Sequence, residues 1–464
     1  MANLKKSQKS NKKVTVSVTH PLVLQLTQFL SSHLMSNQHV LLALSGGLDS
    51  SVLLHLLTAV KQVIPFELHA FHVHHGLSKN ADTWAEFCQA QCLLVKVPLQ
   101  INRVNVDNNA KLGIEAAARQ LRYDALLNYQ INGTVPDFIL TAHHQDDQAE
   151  TLLLQLFRGA GVKGLSAMAT IDTSRRLLRP LLDVSRKSLH AYALQHNIAW
   201  CEDESNDDTQ YERNFVRHEV MPILEARYVS VKPVLARTAA HLAEANDLLD
   251  ALAQLDAKKI LQKNSLCVQG LSALDQPRVK NLLRWWFSQN QLAMPTSEHL
   301  NEIIHQLLNA KSDANIDIQL QHLSLKRYQQ RAYLCTEYMA KSFDMVWNGE
   351  PHLNLPSGGQ LHFRQVLGSG LALKHGMTKL RITKRAGGER FKPDALRPTR
   401  TLKHLLQEAN IPPWQREHLP LVYWHDNLAF VPSIGVAHEL QASKSELGLE
   451  ITWQDSVIEP QLFI

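Results

Sequence analysis

Between an apolar run, HVLLALS, and a second one with helical spacing, LDSSVLLHLLTAV, the chain carries Ser45-Gly46-Gly47-Leu48-Asp49-Ser50. A turn needs a glycine or two; it does not need hydroxyls on both sides and a carboxylate inside. A glycine-rich turn that opens a helix points backbone N–H groups outward, and the helix dipole adds positive potential, so the stretch suits phosphate. The spacing is not G-x-x-x-x-G-K-[ST], and no lysine is present to neutralise phosphate charge. Asp49 therefore implies a divalent cation, Mg²⁺, shared with a nucleotide.

Further residues could work beside this turn. TAHHQDDQAET, Thr141 to Thr151, again follows a predicted strand and opens a predicted helix. In a doubly wound sheet, strands one and four are neighbours at the switch point, so Asp49 and Asp146 would face one crevice and could flank a triphosphate with metal. FHVHHG adds His72, His74 and His75. With His143, His144, Asp146 and Asp147 these residues also fit a two-metal hydrolase. Metal ligands alone leave the Ser-Gly-Gly turn unexplained, so imidazoles that cap strand ends and line a nucleotide pocket are preferred. GIEAAARQLRY holds Glu115, Arg119 and Arg122. Its four-residue spacing admits either a Glu115–Arg119 helix ion pair or an arginine that reaches an α-phosphate.

Residues 374–403 form a basic run with ten Lys/Arg against Glu389 and Asp394. It includes Lys384, Arg385, Arg390, Lys392, Arg397 and Arg400, and it reads as a phosphate-backbone surface. RYQQR and RWWF could add stacking groups, although Trp285 and Trp286 are expected in a core.

These residues must be positioned by elements. From residue 39 to about 165, short apolar runs alternate with helical patterns, which predicts βαβ units, a doubly wound parallel sheet and the α/β class. RRLLRPLLDVSRKSLHAYALQHNIAW adds a strand and a helix, and CEDESNDDTQYERN is a polar loop. Residues 217–310 are mostly helical, LSLKRYQQRAYLC reads as strands, and a Gly/Pro-rich stretch after about 345 opens a small α+β module. The expected organisation is a disordered basic tail over 1–20, a nucleotide-binding domain over 21–220, a mostly helical domain over 221–345 and an α+β domain over 346–464.

The length of 464 residues calls for two or three such domains. Formal net charge is +5, and Lys5, Lys6, Lys9, Lys12 and Lys13 account for all of it. The remainder balances, so a nucleic-acid site must come from local clustering. The N-terminus lacks the apolar core of a signal peptide and no run is long enough to span a membrane, which places the protein in the cytoplasm with no membrane partner. Five scattered cysteines form no C-x-x-C pair.

Ser-Gly-Gly-Leu-Asp-Ser resembles the signature of the PP-loop ATP pyrophosphatases. HVHHGL, GIEAAARQLRY, TAHHQDDQAETLLLQLFRGAG, RPLL and YERNFVRHEVMP together are similar to the tRNA(Ile)-lysidine synthetase family over the first 220 residues, and the later helical region and the RAGGER module are similar too. The resemblance implies that Ser45 to Ser50 hold ATP and that Asp49 and Asp146 bind Mg²⁺ or position an ammonium. It implies that Arg119 stabilises charge on the α-phosphate and that Asp146 or Glu150 sits near a substrate amine, in a pocket shared with His74, Glu115 and His143. It further implies adenylation of the wobble cytidine of the isoleucine tRNA with anticodon CAU, attack by free L-lysine at C2, and a tRNA grip by the helical and C-terminal domains. A homodimer is among the expected assemblies. The family's D-P-S-N loop appears here as Asp203-Glu204-Ser205-Asn206, without the proline. A tRNA-thiolating PP-loop enzyme would share the ATP site but would need reactive cysteines. A non-catalytic RNA-binding protein would not need Asp49, Asp146 and Arg119.

Overall fold

The computed structural model describes residues 19–76, 78–105, 114–262, 264–311, 314, 316–336, 342–356, 358–373 and 379–455, with the side chains of residues 114–116 left aside. The lysine-rich tail, Lys374 and the side chain of Glu115 lie outside the described residues. The chain divides into two compact units, Met1–Leu248 and Leu249–Ile464.

The first unit begins with α1 (Pro21–Ser31), β1 (His39–Ala43), α2 (Leu48–Val60), β2 (Glu67–His74), α3 (Ala81–Val95) and β3 (Leu99–Arg103). It continues through α4 (Ile114–Leu127), β4 (Phe138–Leu140), α5 (Gln145–Phe157), α6 (Val162–Leu165), β5 (Ile171–Asp172), β6 (Leu177–Leu178) and α7 (Arg186–Gln195). The sheet order is β3-β2-β1-β4-β6-β5, and every pair is parallel except β5 with β6. β1 and β4 are neighbours, with Val40, Leu41 and Leu42 in register with Phe138, Ile139 and Leu140. This is the doubly wound order, and its switch point lies between the strands that lead into α2 and α5.

The apolar runs are continuous because both faces of the sheet are covered. Successive side chains alternate faces. Val40, Leu42, Leu140 and Leu178 pack with α1, α2, α3 and α7. Leu41, Ile139 and Leu177 pack with Phe71 and with Leu126 of α4.

Beyond a polar loop come α8 (Glu212–Phe215), a π-type segment over Val216–Val220, α9 (Met221–Arg227) and α10 (Val231–Ile260). Val216, Met221 and Val231 pack on Ala149 and Leu153, fixing this stretch against α5.

In the second unit, helices at Gln276–Gln289 and Ser297–Asn309 cover a five-stranded sheet that includes Leu323–Tyr328 and Arg331–Thr336. The expected helical stretch is interrupted by a short hairpin, Leu261–Gln262 with Ser265–Cys267, which joins that sheet. Two-residue strands carry too little periodicity to stand out from helical flanks. Trp286 is fully buried in this core and Trp285 packs at its edge. Among the described residues, the C-terminal module has two larger antiparallel sheets, one built on Leu380–Lys384 and Pro420–Trp424, the other on Gln360–Leu367 and Leu447–Gln454, and a two-stranded one that pairs Arg390–Phe391 with Arg400–Thr401. The helix Leu402–Glu408 packs beside them through Leu402, Leu405 and Leu406. Among the described residues, no helix is long and apolar enough to cross a membrane.

Candidate nucleotide and tRNA site

The turn between β1 and α2 is built around its hydroxyls. Ser50 Oγ accepts the Ser45 N–H at 3.2 Å and lies 3.0 Å from Ser45 Oγ, while Ser45 Oγ accepts the Gly47 N–H at 3.3 Å. Gly46 has φ +85°, and a Cβ there would stand 3.0 Å from Cys88 Sγ, so both the bend and the packing beneath it require glycine. The Gly46 carbonyl accepts the Cys201 N–H at 2.9 Å. Gly47 opens α2 with no side-chain cap, which leaves the first-turn N–H groups directed at whatever occupies the crevice.

Asp49 lies on the first turn of α2. Its Oδ2 is 3.5 Å from His144 Nε2, and its Oδ1 is buried without a hydrogen-bond partner. An orphaned carboxylate oxygen beside uncapped N–H groups fits a divalent cation that bridges to phosphate. Among the described residues no group of three His, Cys, Asp or Glu side chains is arranged as a metal cage, so such a cation would share its shell with the nucleotide.

On the α5 side, His144 and Asp147 form a capping box: the Asp147 carboxylate accepts the His144 N–H at 2.9 Å and His144 Nδ1 accepts the Asp147 N–H at 3.4 Å. Burial would depress the His144 pKa, but Asp49, Asp147 and Asp146 outweigh it and raise it above the ordinary value. Asp146 is engaged on both oxygens. Oδ1 accepts the Arg186 N–H at 3.0 Å, and Oδ2 is 2.9 Å from Lys232 Nζ. Glu150 faces away from the turn, into an ion-pair knot. Arg213 Nε donates to it at 2.8 Å, and Arg217 donates from Nε at 2.7 Å and Nη2 at 2.9 Å. Arg213 Nη2 also reaches Asp147 at 2.7 Å.

His72, His74 and His143 serve as structural hydrogen-bonding groups, whereas His75 Nδ1 is buried without a partner. His72 Nδ1 is 2.9 Å from the Leu44 carbonyl and steadies the strand that enters the turn. His74 Nε2 is 3.2 Å from Asp82 and from Arg103. His143 Nδ1 meets Thr141 Oγ1 at 2.8 Å; burial, with Arg179, Arg213 and Arg119 nearby, presses its pKa down to about 3 and keeps it neutral. Arg119 is exposed on α4, 5.3 Å from the Tyr123 ring, with its Nη2 3.4 Å from the Tyr123 hydroxyl. The arrangement brings Ser45–Ser50, Asp49, His144 and Asp146 to one crevice, with Arg119 close enough to influence His143. Sequence reading missed Arg213, Arg217 and Lys232 as partners of the acids; a motif containing the two arginines was visible, but not what they bind.

The basic run is less free than its charge count. Arg381 pairs with Asp344 at 2.7 Å, Arg385 with Glu389 at 3.3 Å, and Arg397 and Arg400 both with Glu408. Arg390 donates to the Thr399 carbonyl at 3.3 Å. Among the described residues, Lys384, Lys392 and Lys403 carry no such ion pair. Tyr328 of the RYQQR turn is not available for stacking: it accepts from Arg416 at 2.7 Å and lies beside Trp414.

The five cysteines are free thiols, and burial pushes Cys92 and Cys201 up to about 11. Burial raises Cys88 and Cys335 as well, the opposite of the depressed pKa that thiolation chemistry asks of a nucleophile.

Residues 18–224 match the PP-loop domain family, 266–333 the TilS substrate binding domain and 380–453 the TilS substrate C-terminal domain. The tRNA(Ile)-lysidine synthase of Nitrosomonas europaea is 40% identical over 439 residues, which cover 92% of this chain and 94% of that protein. Those of Coxiella burnetii and Serratia proteamaculans are 37% and 38% identical, covering 93% of this chain in each case and 96% and 99% of those proteins. Among solved structures, the U34-tRNA thiolase NcsA from Methanococcus maripaludis is 20% identical with a TM-score of 0.42, over 48% of this chain and 78% of that one. With the phosphate-type turn, two further matched domains and nearly full-length identity in agreement, the chain belongs to the tRNA(Ile)-lysidine synthase family of tRNA-modifying, PP-loop enzymes.

Proposed function

We propose that the chain joins free L-lysine to C2 of the wobble cytidine of the CAU-anticodon isoleucine tRNA, using ATP. The observation that carries this reading is the uncapped Ser45–Ser50 turn with the open Asp49 oxygen, in a chain of this family. ATP lies with its phosphates on the first-turn N–H groups of α2. Asp49 would hold Mg²⁺, which would supply charge neutralisation there. The cytosine C2 oxygen attacks the α-phosphate and pyrophosphate leaves. Arg119, free to swing on the exposed face of α4, stabilises the charge that builds on the α-phosphate. The lysine ε-amine then attacks C2 and AMP leaves. The amine must shed a proton first, and a carboxylate must receive or orient it. Glu150 is committed to two arginines, which leaves Asp146 as the acid beside the turn for that role. The helical and C-terminal domains hold the tRNA, with Lys384, Lys392 and the neighbouring arginines on its phosphates.

The test is incubation with labelled lysine, Mg²⁺-ATP and the tRNA transcript. ATP-dependent label on the tRNA is expected. If ATP is split to AMP and pyrophosphate without lysine transfer, the substrate assignment fails while the nucleotide site stands. Failure of both overturns the reading of the turn.

A further inference from the structure

Among the described residues, Lys232 is the side-chain cation that pairs with Asp146. Its Nζ is 2.9 Å from Asp146 Oδ2 and 3.0 Å from Glu225 Oε1. The lysine is placed, not merely exposed: Val231 before it is buried against Ala149 and Leu153, and the Val231 N–H bonds the Tyr228 carbonyl at 2.9 Å as α10 begins. Its side chain is 26% exposed and that of Asp146 only 12%, whereas Glu225 is 40% exposed. The inner end of the contact is therefore shielded and the outer end reaches solvent.

The group held there is a primary alkylammonium on a methylene chain. That is also the group a free lysine presents through its side chain. We propose that Lys232 is a resident occupant of the substrate-amine site: its ammonium holds Asp146 until free lysine displaces it, so that it sets how much lysine the enzyme needs. The inference rests on the lysine-ligating reading above. Three features support it. Asp146 takes the Arg186 N–H on Oδ1, an anchor separate from the Lys232 contact on Oδ2, so vacating Oδ2 leaves that anchor in place. Glu225 helps to hold the resident ammonium at the outer end of the contact. Asp146 is adjacent to His144, which contacts Asp49 at the nucleotide turn, so an amine on Asp146 is beside the reacting phosphate. While Lys232 is in place, both Asp146 oxygens are engaged, and the cation on this carboxylate is an ammonium.

A tethered competitor acts at an effective concentration in the millimolar range, so its removal is expected to lower the KM for lysine by about three- to tenfold. The KM for ATP and the rate at saturating lysine should change little. K232A and K232M test this in the lysine-transfer assay, with K232R expected to restore the high KM because it returns a cation to Asp146. E225Q loosens the outer hold and should lower the KM in the same direction, which keeps the test open if a Lys232 variant melts early. An unchanged or raised lysine KM in the Lys232 variants, with wild type active, overturns the proposal. If wild type transfers no lysine at all, the ligation reading itself has failed, and the proposal falls with it.

Discussion

Asp49 differs from every other acid at the crevice in having almost nothing to do in the folded protein. Asp147 is held by a capping box and an arginine, Asp146 by an N–H and Lys232, and Glu150 by two arginines. Asp49 has one 3.5 Å contact to His144 and a buried oxygen with no partner. A group that is costly to leave unpaired and is nonetheless left so points to a ligand. Asp49→Asn is expected to cut ATP cleavage by about 10²–10³-fold, the range for losing one electrostatic contact to developing charge. The melting temperature should stay within about 2 °C of wild type, because little native interaction is lost. A large fall in melting temperature would instead make Asp49 structural. This residue was legible in the sequence because its signal is local: glycines, hydroxyls and an acid in six consecutive positions between two apolar runs. Lys232 had no such signal. Its partner lies 86 positions earlier, and nothing in VSVKPVL marks it.

At the scale of elements, α5 and its C-cap are tied to the chain after the polar loop by two sets of ion pairs of very different worth. Arg217 and Arg213 meet Glu150, whose side chain is 3% exposed. Arg158 meets Glu212 between the same two elements, with both side chains more than half exposed. Replacing Arg213 and Arg217 together with alanine strands a buried carboxylate and is expected to destabilise the first unit by about 3–5 kcal/mol. Arg158→Ala is expected to cost about 0.2–1 kcal/mol. Comparable shifts in the denaturation midpoint for the two variants would defeat this ranking. The βαβ alternation and the β1–β4 adjacency were readable because each apolar run is short, continuous and bounded, and chain topology does the rest. The knot was not, since Glu150 and its arginines are 63 and 67 positions apart and helical periodicity carries no information across that gap.

The packing of α1, α2 and α7 carries a pH dependence. His55 on α2 is 7% exposed, with Nδ1 2.9 Å from the Tyr192 hydroxyl, and His196 and His20 ring the same tyrosine. Burial first, then His196, lowers the His55 pKa from 6.5 to about 4. The unfolded chain therefore binds a proton that the folded one refuses between those values. The stability due to neutral His55 is fully present above pH 6.5 and is lost as pH falls toward 4, to a total of about 3 kcal/mol. His55→Leu should flatten the stability profile over that window. An equally steep profile in the variant would assign the slope to His196, whose pKa burial also lowers.

For the whole molecule, the surface offered to RNA depends on where the positive charge is free. The basic run of 374–403 stands out against a balanced background, but its neutralising acids do not: Asp344 lies 37 positions before Arg381, and Glu408 lies beyond the end of the run. Folding brings them in, so a charge count along the sequence overstates the surface offered to RNA. Arginines already paired to Glu408 release few counterions when phosphate replaces a carboxylate, whereas Lys384, Lys392 and Lys403 neutralise phosphate outright. Replacing these three lysines with alanine is expected to reduce the salt slope of tRNA binding by about one per residue, for a total of about two to three. Arg397→Ala with Arg400→Ala should lower the slope by clearly less than two, because Glu408 is freed as they go. Glu408→Gln should steepen it, since it uncovers two guanidinium groups at once. Filter binding across a salt titration with full-length protein separates these outcomes. A slope governed by the two arginines and indifferent to the lysines would mean that the ion pairs with Glu408 open on binding, and that the paired arginines are the part of the run that meets the tRNA backbone.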